Sequence, residues 1–252
     1  MSFIQQKISS VKKRLQFLSF GIIYFLSKNF IFPKRLWVNG MMRELIFNNA
    51  DGSAFKYEFN EICINDCYGL HLLKKKLDNV LTIVDIGANQ GLFLVAARKA
   101  FSKALIFGYE PNRKIETVLS FNAKALNATI FFEAVTRMEG KVDLFFGETD
   151  LHTVAKTSSE GITPATAFRK VIDNAGGQID ILKMDCEGGE WDIFEDTDSW
   201  RYVNSLTMEY HLWAKDGSTQ KDIVNIIEGL GFHIITLTAI SDKFGLLTAI
   251  KK

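Results

Sequence analysis

From Leu77 onward, apolar and polar positions alternate between two periods. Val80 to Val84 is an apolar run with one Thr, the pattern of a strand buried on both faces, and LFLVAARKAF continues it at helical spacing. ALIFGY, ATIFFEAV, IDILKM and SLTMEY repeat the strand pattern. A helix with apolar Ile115, Val118, Leu119 and Leu126 follows the first of these, and KDIVNIIEGLG follows the last. FHIITLT and FGLLTAI close the chain as a hairpin-like pair. This order predicts an α/β fold over residues 76–252, with a seven-stranded, mostly parallel sheet, helices on both faces and an antiparallel finish. Thr163-Pro164 predicts a helix start, and Gly176-Gly177 ends that helix past Asn174. GETDLHTVAKTSSEGI has no period of its own and reads as a long polar loop carrying His152.

Upstream the pattern changes. Residues 31–75 are rich in β-formers but alternate poorly, and Asn49-Ala50-Asp51-Gly52 reads as a hairpin turn, so a small β-rich lead-in is expected, with nothing chemical in it. In residues 1–30, Ile4, Ile8, Val11, Leu15, Leu18, Ile22 and Phe25 recur at steps of four and three, the seam of an amphipathic N-terminal helix that turns apolar nearly all round after Leu15.

Charge sharpens that contrast. The net charge of +1 hides eight Lys and Arg and no acid in the first 43 residues, against 22 Lys and Arg and 29 Asp and Glu in the rest. A basic, apolar arm on an acidic body suits packing on the domain, pairing with a second copy in a homo-oligomer, or peripheral membrane contact through residues 3–27. Nucleic acid is not the expected partner. The 13 residues between Arg14 and Lys28 are too few to span a bilayer, which takes about 20. No small-x-small cleavage site follows, although a mitochondrial targeting segment has a similar composition. Cys63, Cys67 and Cys186 fit neither a disulfide framework nor a zinc site and read as reduced thiols of a cytoplasmic protein.

Candidate chemistry gathers at three strand ends. Asp85, Gly87, Asn89 and Gly91 fall within seven residues between a strand and a helix, a nucleotide-cradling turn. The spacing lacks the middle glycine of the dinucleotide fingerprint, and Asp85 would repel a pyrophosphate, so S-adenosylmethionine (SAM) is favoured over NAD(P). Glu110, nineteen residues after Gly91 and at the next strand end, is placed to accept from ribose hydroxyls. The second constellation is Asp185-Cys186-Glu187-Gly188-Gly189-Glu190, where Asp185 and Glu187 crowd like charges that a cation, a proton or a ligand must compensate. Glu190 and Asp192 read as first-turn acids of a helix. Glu209-Tyr210-His211 ends the fifth strand, and His211 is the side chain of the right type for a general base. Asp185 and Glu187 could orient it, take the proton themselves or hold a divalent cation.

VDIGANQGLF, YEPN, DILKMDCEGGEWDIF and MEYH, in this order, resemble the motifs of FkbM-type SAM-dependent methyltransferases over roughly Thr82 to Phe232. The resemblance implies a Rossmann-like class I methyltransferase fold, SAM as methyl donor, and O-methylation of a hydroxyl on a small-molecule or glycan acceptor such as a sugar or natural product. It puts cofactor contacts on Asp85, Gly87, Asn89, Gly91 and Glu110, and Asp185, Glu187 and His211 near the acceptor. Residues 150–168 diverge from the family pattern, and the basic arm lies outside the matched span. A SAM-binding scaffold without catalysis and an NAD(P)-dependent oxidoreductase are the competing readings.

Overall fold

The computed structural model describes residues 3–23, 31–146, 153–158 and 160–252, with backbone alone for 3–10, Phe146 and 153–157. Helix α1 (Phe3–Ser19) leads to a hairpin of β1 (Arg35–Val38) and β2 (Met41–Glu44). Helix α2 (Ser53–Phe59) runs into a wide turn at Asn60–Ile64, and α3 (Leu70–Lys76) follows. The main domain continues as β3 (Thr82–Ile86), α4 (Leu92–Ala100), β4 (Leu105–Tyr109), α5 (Glu116–Leu126), β5 (Ala128–Phe131) and β6 (Ala134–Thr136). Then come β7 (Gly140–Phe146), β8 (Thr153–Thr157), β9 (Thr163–Ala167), α6 (Phe168–Asn174), β10 (Ile181–Met184) and α7 (Glu190–Phe194). The chain closes with β11 (Ser205–His211), α8 (Gln220–Gly229), β12 (Phe232–Ala239) and β13 (Phe244–Lys251).

The main sheet has seven strands in the order β12-β13-β11-β10-β3-β4-β5, parallel from β11 to β5 and antiparallel where β13 joins. Every residue of β3 and β10 is buried, as the unbroken apolar runs require. One core layer joins the lead-in, α4 and α5 to one face, and a second lies beneath α6, α7 and α8 on the other. The seven strands, the antiparallel finish and the two-sided covering agree with the pattern read from the sequence.

Three expectations fail for identifiable reasons. The lead-in is mostly helical after its one hairpin. Phe55, Phe59 and Cys63 recur every four residues and pack with Phe32 beneath the domain, a helical period that β-forming composition concealed. Thr163-Pro164 opens a strand, not a helix. Proline near a strand start is tolerated without its N–H, and α6 begins at Phe168 with Ala167 as its N-cap. The long polar loop contains β8, which pairs with β7 in a second sheet of order β6-β9-β7-β8. Its register comes from that partner, so the segment shows no core-facing period; His152 lies outside the described residues.

Helix α1 also ends earlier than the seam suggested. Gly21, at φ +77°, turns the chain back, and Phe17, Phe20 and Ile22 are buried in the core. Ile4, Ile8 and Phe25 lie outside the described side chains.

Candidate active site

The carboxyl ends of β3, β4, β10 and β11 open onto a cleft of about 370 Å³. Its two halves are built differently. In the first, the turn after β3 is a run of left-handed backbone at Gly87 (φ +81°), Asn89 (φ +44°) and Gly91 (φ +90°). A Cβ on Gly87 would lie 1.8 Å from the Asp185 carbonyl, so only glycine lets the β3 and β10 turns meet. Glu110 is buried and accepts from the Asn89 N–H and the Asn112 N–H, each at 2.8 Å, which ties the β4 end to the turn. Burial raises its pKa, and those two backbone bonds oppose the rise. Gly87, Asn89, Glu110 and Asn112 line the cleft. The Asn89 Oδ1 is buried with no hydrogen-bond donor among the described residues.

Asp85 and Gly91 are not among the lining residues. Gly91 is the N-cap of α4. Asp85 is fully buried beneath the turn, where Lys183 Nζ lies 2.9 Å from it. Burial lifts the Asp85 carboxyl to about 6, with the Lys183 ammonium pulling the other way. The same ammonium donates to the Gly87 carbonyl at 2.7 Å, so the pair braces the turn from below. The charge read as facing the ligand is spent on this brace. Lys183 was invisible to sequence reading because it sits in an otherwise apolar strand.

The second half is a group of carboxylates. Asp185 accepts from the Tyr68 hydroxyl at 2.8 Å and lies 3.9 Å from Lys183. Glu187 adopts a left-handed φ of +51° and reaches within 3.7 Å of His211 Nε2. Glu209 lies 3.3 Å from the same nitrogen, while Glu190 meets His211 Nδ1 at 3.1 Å and accepts from its backbone N–H at 2.7 Å. Glu190 also accepts from the Gly188 N–H at 2.9 Å, so it is a fully buried buttress and more than a first-turn acid.

His211 is only 2 % exposed and is not among the lining residues. Burial alone would lower its pKa, but hydrogen bonds that the ring donates to Glu190 and Glu209 carry it up to about 11. These carboxylates favour the protonated ring, the form that cannot act as a base. Burial raises the Glu209 pKa, Asp185 and Glu187 add to that rise, and His211 opposes it. Asp185, Glu209 and His211 offer ligand atoms within 4.8 Å of one another.

Two contributions were missed in the sequence. Tyr57, Glu58, Glu61, Ile62 and Tyr68 of the lead-in line the cleft, and so do Ile240, Phe244 and Leu246 of the closing hairpin. Neither carried a local motif. Seven carboxylates line the cleft (Glu58, Glu61, Glu110, Glu133, Asp185, Glu187 and Glu209), and no Lys, Arg or His does among the described residues.

A profile of the methyltransferase FkbM domain matches residues 85–234, the span that carries the β3 turn, Glu110, the β10 turn and the end of β11. The chain belongs to the FkbM methyltransferase family. It is similar to methyltransferase sdnD of Sordaria araneosa, 26 % identical over 238 residues that cover 77 % of this chain and 89 % of that protein. Among solved structures, a precorrin-6y C5,15-methyltransferase from Geobacter metallireducens is similar at 14 % identity and a TM-score of 0.46, covering 74 % of this chain and 88 % of that one. A magnesium protoporphyrin IX methyltransferase from Synechocystis with bound SAM is similar at 12 % identity and a TM-score of 0.47, covering 82 % and 86 %.

This FkbM protein is thus a SAM-dependent methyltransferase, with SAM in place of NAD(P). Its first half-cleft fits that cofactor. The left-handed turn brings backbone to the cleft wall, the unpartnered Asn89 Oδ1 is an acceptor for a donor group, and Glu110 presents a carboxylate to the cleft at the next strand end, as a ribose-binding acid would.

Proposed function

We propose that the enzyme methylates a hydroxyl of a neutral or amine-bearing small molecule, a sugar, glycan or natural product in class. The observation that carries this reading is the lining of seven carboxylates with no cationic side chain. Such a lining, offset in part by Lys183 near Asp185 and by His211 beside Glu187 and Glu209, disfavours a multiply charged phosphate, so nucleic acids and phosphorylated acceptors are selected against. The free cysteines agree with a cytoplasmic setting.

SAM supplies a methyl group on a sulfonium, open to in-line displacement. The chain's own task is to hold the acceptor oxygen in line and to take its proton. Glu209 is our candidate base: it lines the cleft, and burial moves its pKa upward toward the working range. Asp185, with one oxygen fixed by Tyr68, is suited to orient the acceptor hydroxyl, and Glu187 stands beside it. His211 is a positioning residue, an imidazolium that holds Glu209 and Glu190 in place. Asp185, Glu209 and His211 also offer ligand atoms within 4.8 Å of one another, a set that could hold a divalent cation.

The test is label transfer. The purified protein is incubated with methyl-labelled SAM and with acceptors that share one skeleton and differ only by a phosphate. Label should appear as an alkali-stable ether, with about tenfold or greater preference for the unphosphorylated member. Alkali-labile label, or equal labelling of the phosphorylated acceptor or of RNA, would overturn the reading.

A further inference from the structure

Helix α1 has two apolar faces. One points inward: Phe17 and, just past the helix, Phe20 are 1 % and 2 % exposed, and their rings pack on Phe59 at 6.3 and 5.5 Å. The other points out. Val11, Leu15 and Leu18, spaced by four and three, are 55 %, 60 % and 58 % exposed. These three belong to the seam that sequence periodicity marks, and the domain is held by the other face.

The outer stripe does not stand alone. At Gly21 the chain turns against the β1–β2 hairpin, where a Cβ on the glycine would lie 3.8 Å from Trp37 Cβ and 4.0 Å from Met42 Sδ. Trp37, Met41, Met42 and Ile23 are exposed there too. Lys12 and Arg14 are exposed on the helix that carries the stripe, within a segment of 43 residues holding eight Lys and Arg and no acid.

We infer that this face is a peripheral attachment surface for an anionic lipid bilayer. Apolar side chains enter the boundary between headgroups and acyl chains, Trp37 sits at the level an interfacial aromatic prefers, and the cations meet lipid phosphates. Charge decides against a second copy of the same face, because a two-fold contact would set one acid-free basic patch on another. No helix among the described residues is long and apolar enough to cross a membrane, so the attachment lies on the surface. Lys99, in the last turn of α4, donates to the Ser19 and Trp37 carbonyls. Helix α4 starts at the cofactor turn and ends at this patch, about 13 Å away at 1.5 Å per residue, so attachment leaves the cleft clear of lipid.

The full-length protein is sedimented with vesicles of phosphatidylcholine alone and with about 30 % phosphatidylglycerol. It should pellet only with the anionic vesicles and be released by about 0.5 M salt. Leu15→Asp with Leu18→Asp, and separately Lys12→Glu with Arg14→Glu, should each weaken partitioning by about tenfold or more. Both pairs lie on the outer surface, so unchanged thermal midpoint and unchanged S-adenosylhomocysteine affinity confirm an intact fold. Deleting residues 1–30 is no substitute, since it removes Phe17, Phe20 and Ile22 from the core. Absence of pelleting, or pelleting that survives both double variants, overturns the proposal. So does a dimer in sedimentation velocity that the Leu15/Leu18 variant dissolves.

Discussion

The two halves of the cleft reach their geometry by opposite routes. The cofactor half is mostly backbone: three left-handed residues within five positions, and a carboxylate at the next strand end bonded to the turn. The acceptor half is side chains, drawn from the lead-in, the β10 turn, the end of β11 and the closing hairpin. Backbone conformations are written locally, as glycine and asparagine at fixed spacing. Side-chain walls exist only after folding brings distant segments together.

The largest effect expected from breaking this contrast comes from Gly87→Ala. The added Cβ meets the Asp185 carbonyl at 1.8 Å in a left-handed conformation, so a cost of about 4 kcal/mol or more follows. For a chain of this size the midpoint in a thermal melt should fall by roughly 10 °C, and both cofactor binding and transfer should be lost with it. A variant that melts like wild type would show that the two turns do not depend on each other.

Glu209→Gln should act on one half alone. On an acceptor that takes label, turnover should fall by about 10²–10⁴. The raised Glu209 pKa means that the folded chain binds this proton more readily than the unfolded one. Stability is therefore lost as pH rises from about 4.5 through the folded value, and Gln removes that loss at pH 7. The thermal midpoint should hold or rise. The wild-type acid limb should lie above 4.5 and persist in His211→Gln, which should lower turnover by about tenfold through a misplaced Glu209. Loss of the limb in His211→Gln would return the base to the imidazole.

What could be read in advance follows the same division. The seven strands were legible because β3 and β10 are buried on both faces and carry unbroken apolar runs. The placement of Gly87, Asn89 and Glu110 at the cleft was legible because it is set by local backbone. His211 was found, but its protonation depends on Glu190, 21 positions away, and could not be foreseen. Glu209 stands two positions before His211 in MEYH, and nothing in the sequence ranks it above the imidazole as a base. Tyr68 reaches Asp185 across 117 positions, and no pattern announces such a contact. The seam of α1 is a true helical period whose side the sequence could not choose: Val11, Leu15 and Leu18 face outward, while Ile22 is buried.

One titration tests the division most directly. S-adenosylhomocysteine is titrated calorimetrically into wild type, Glu110→Ala and Glu209→Gln under identical conditions. The account predicts binding to wild type, weakening by about tenfold or more in Glu110→Ala through loss of charge-assisted hydrogen bonds, and affinity within about threefold of wild type in Glu209→Gln. Equal loss in both variants, or wild-type affinity in Glu110→Ala, would contradict a cleft divided into a cofactor half and an acceptor half.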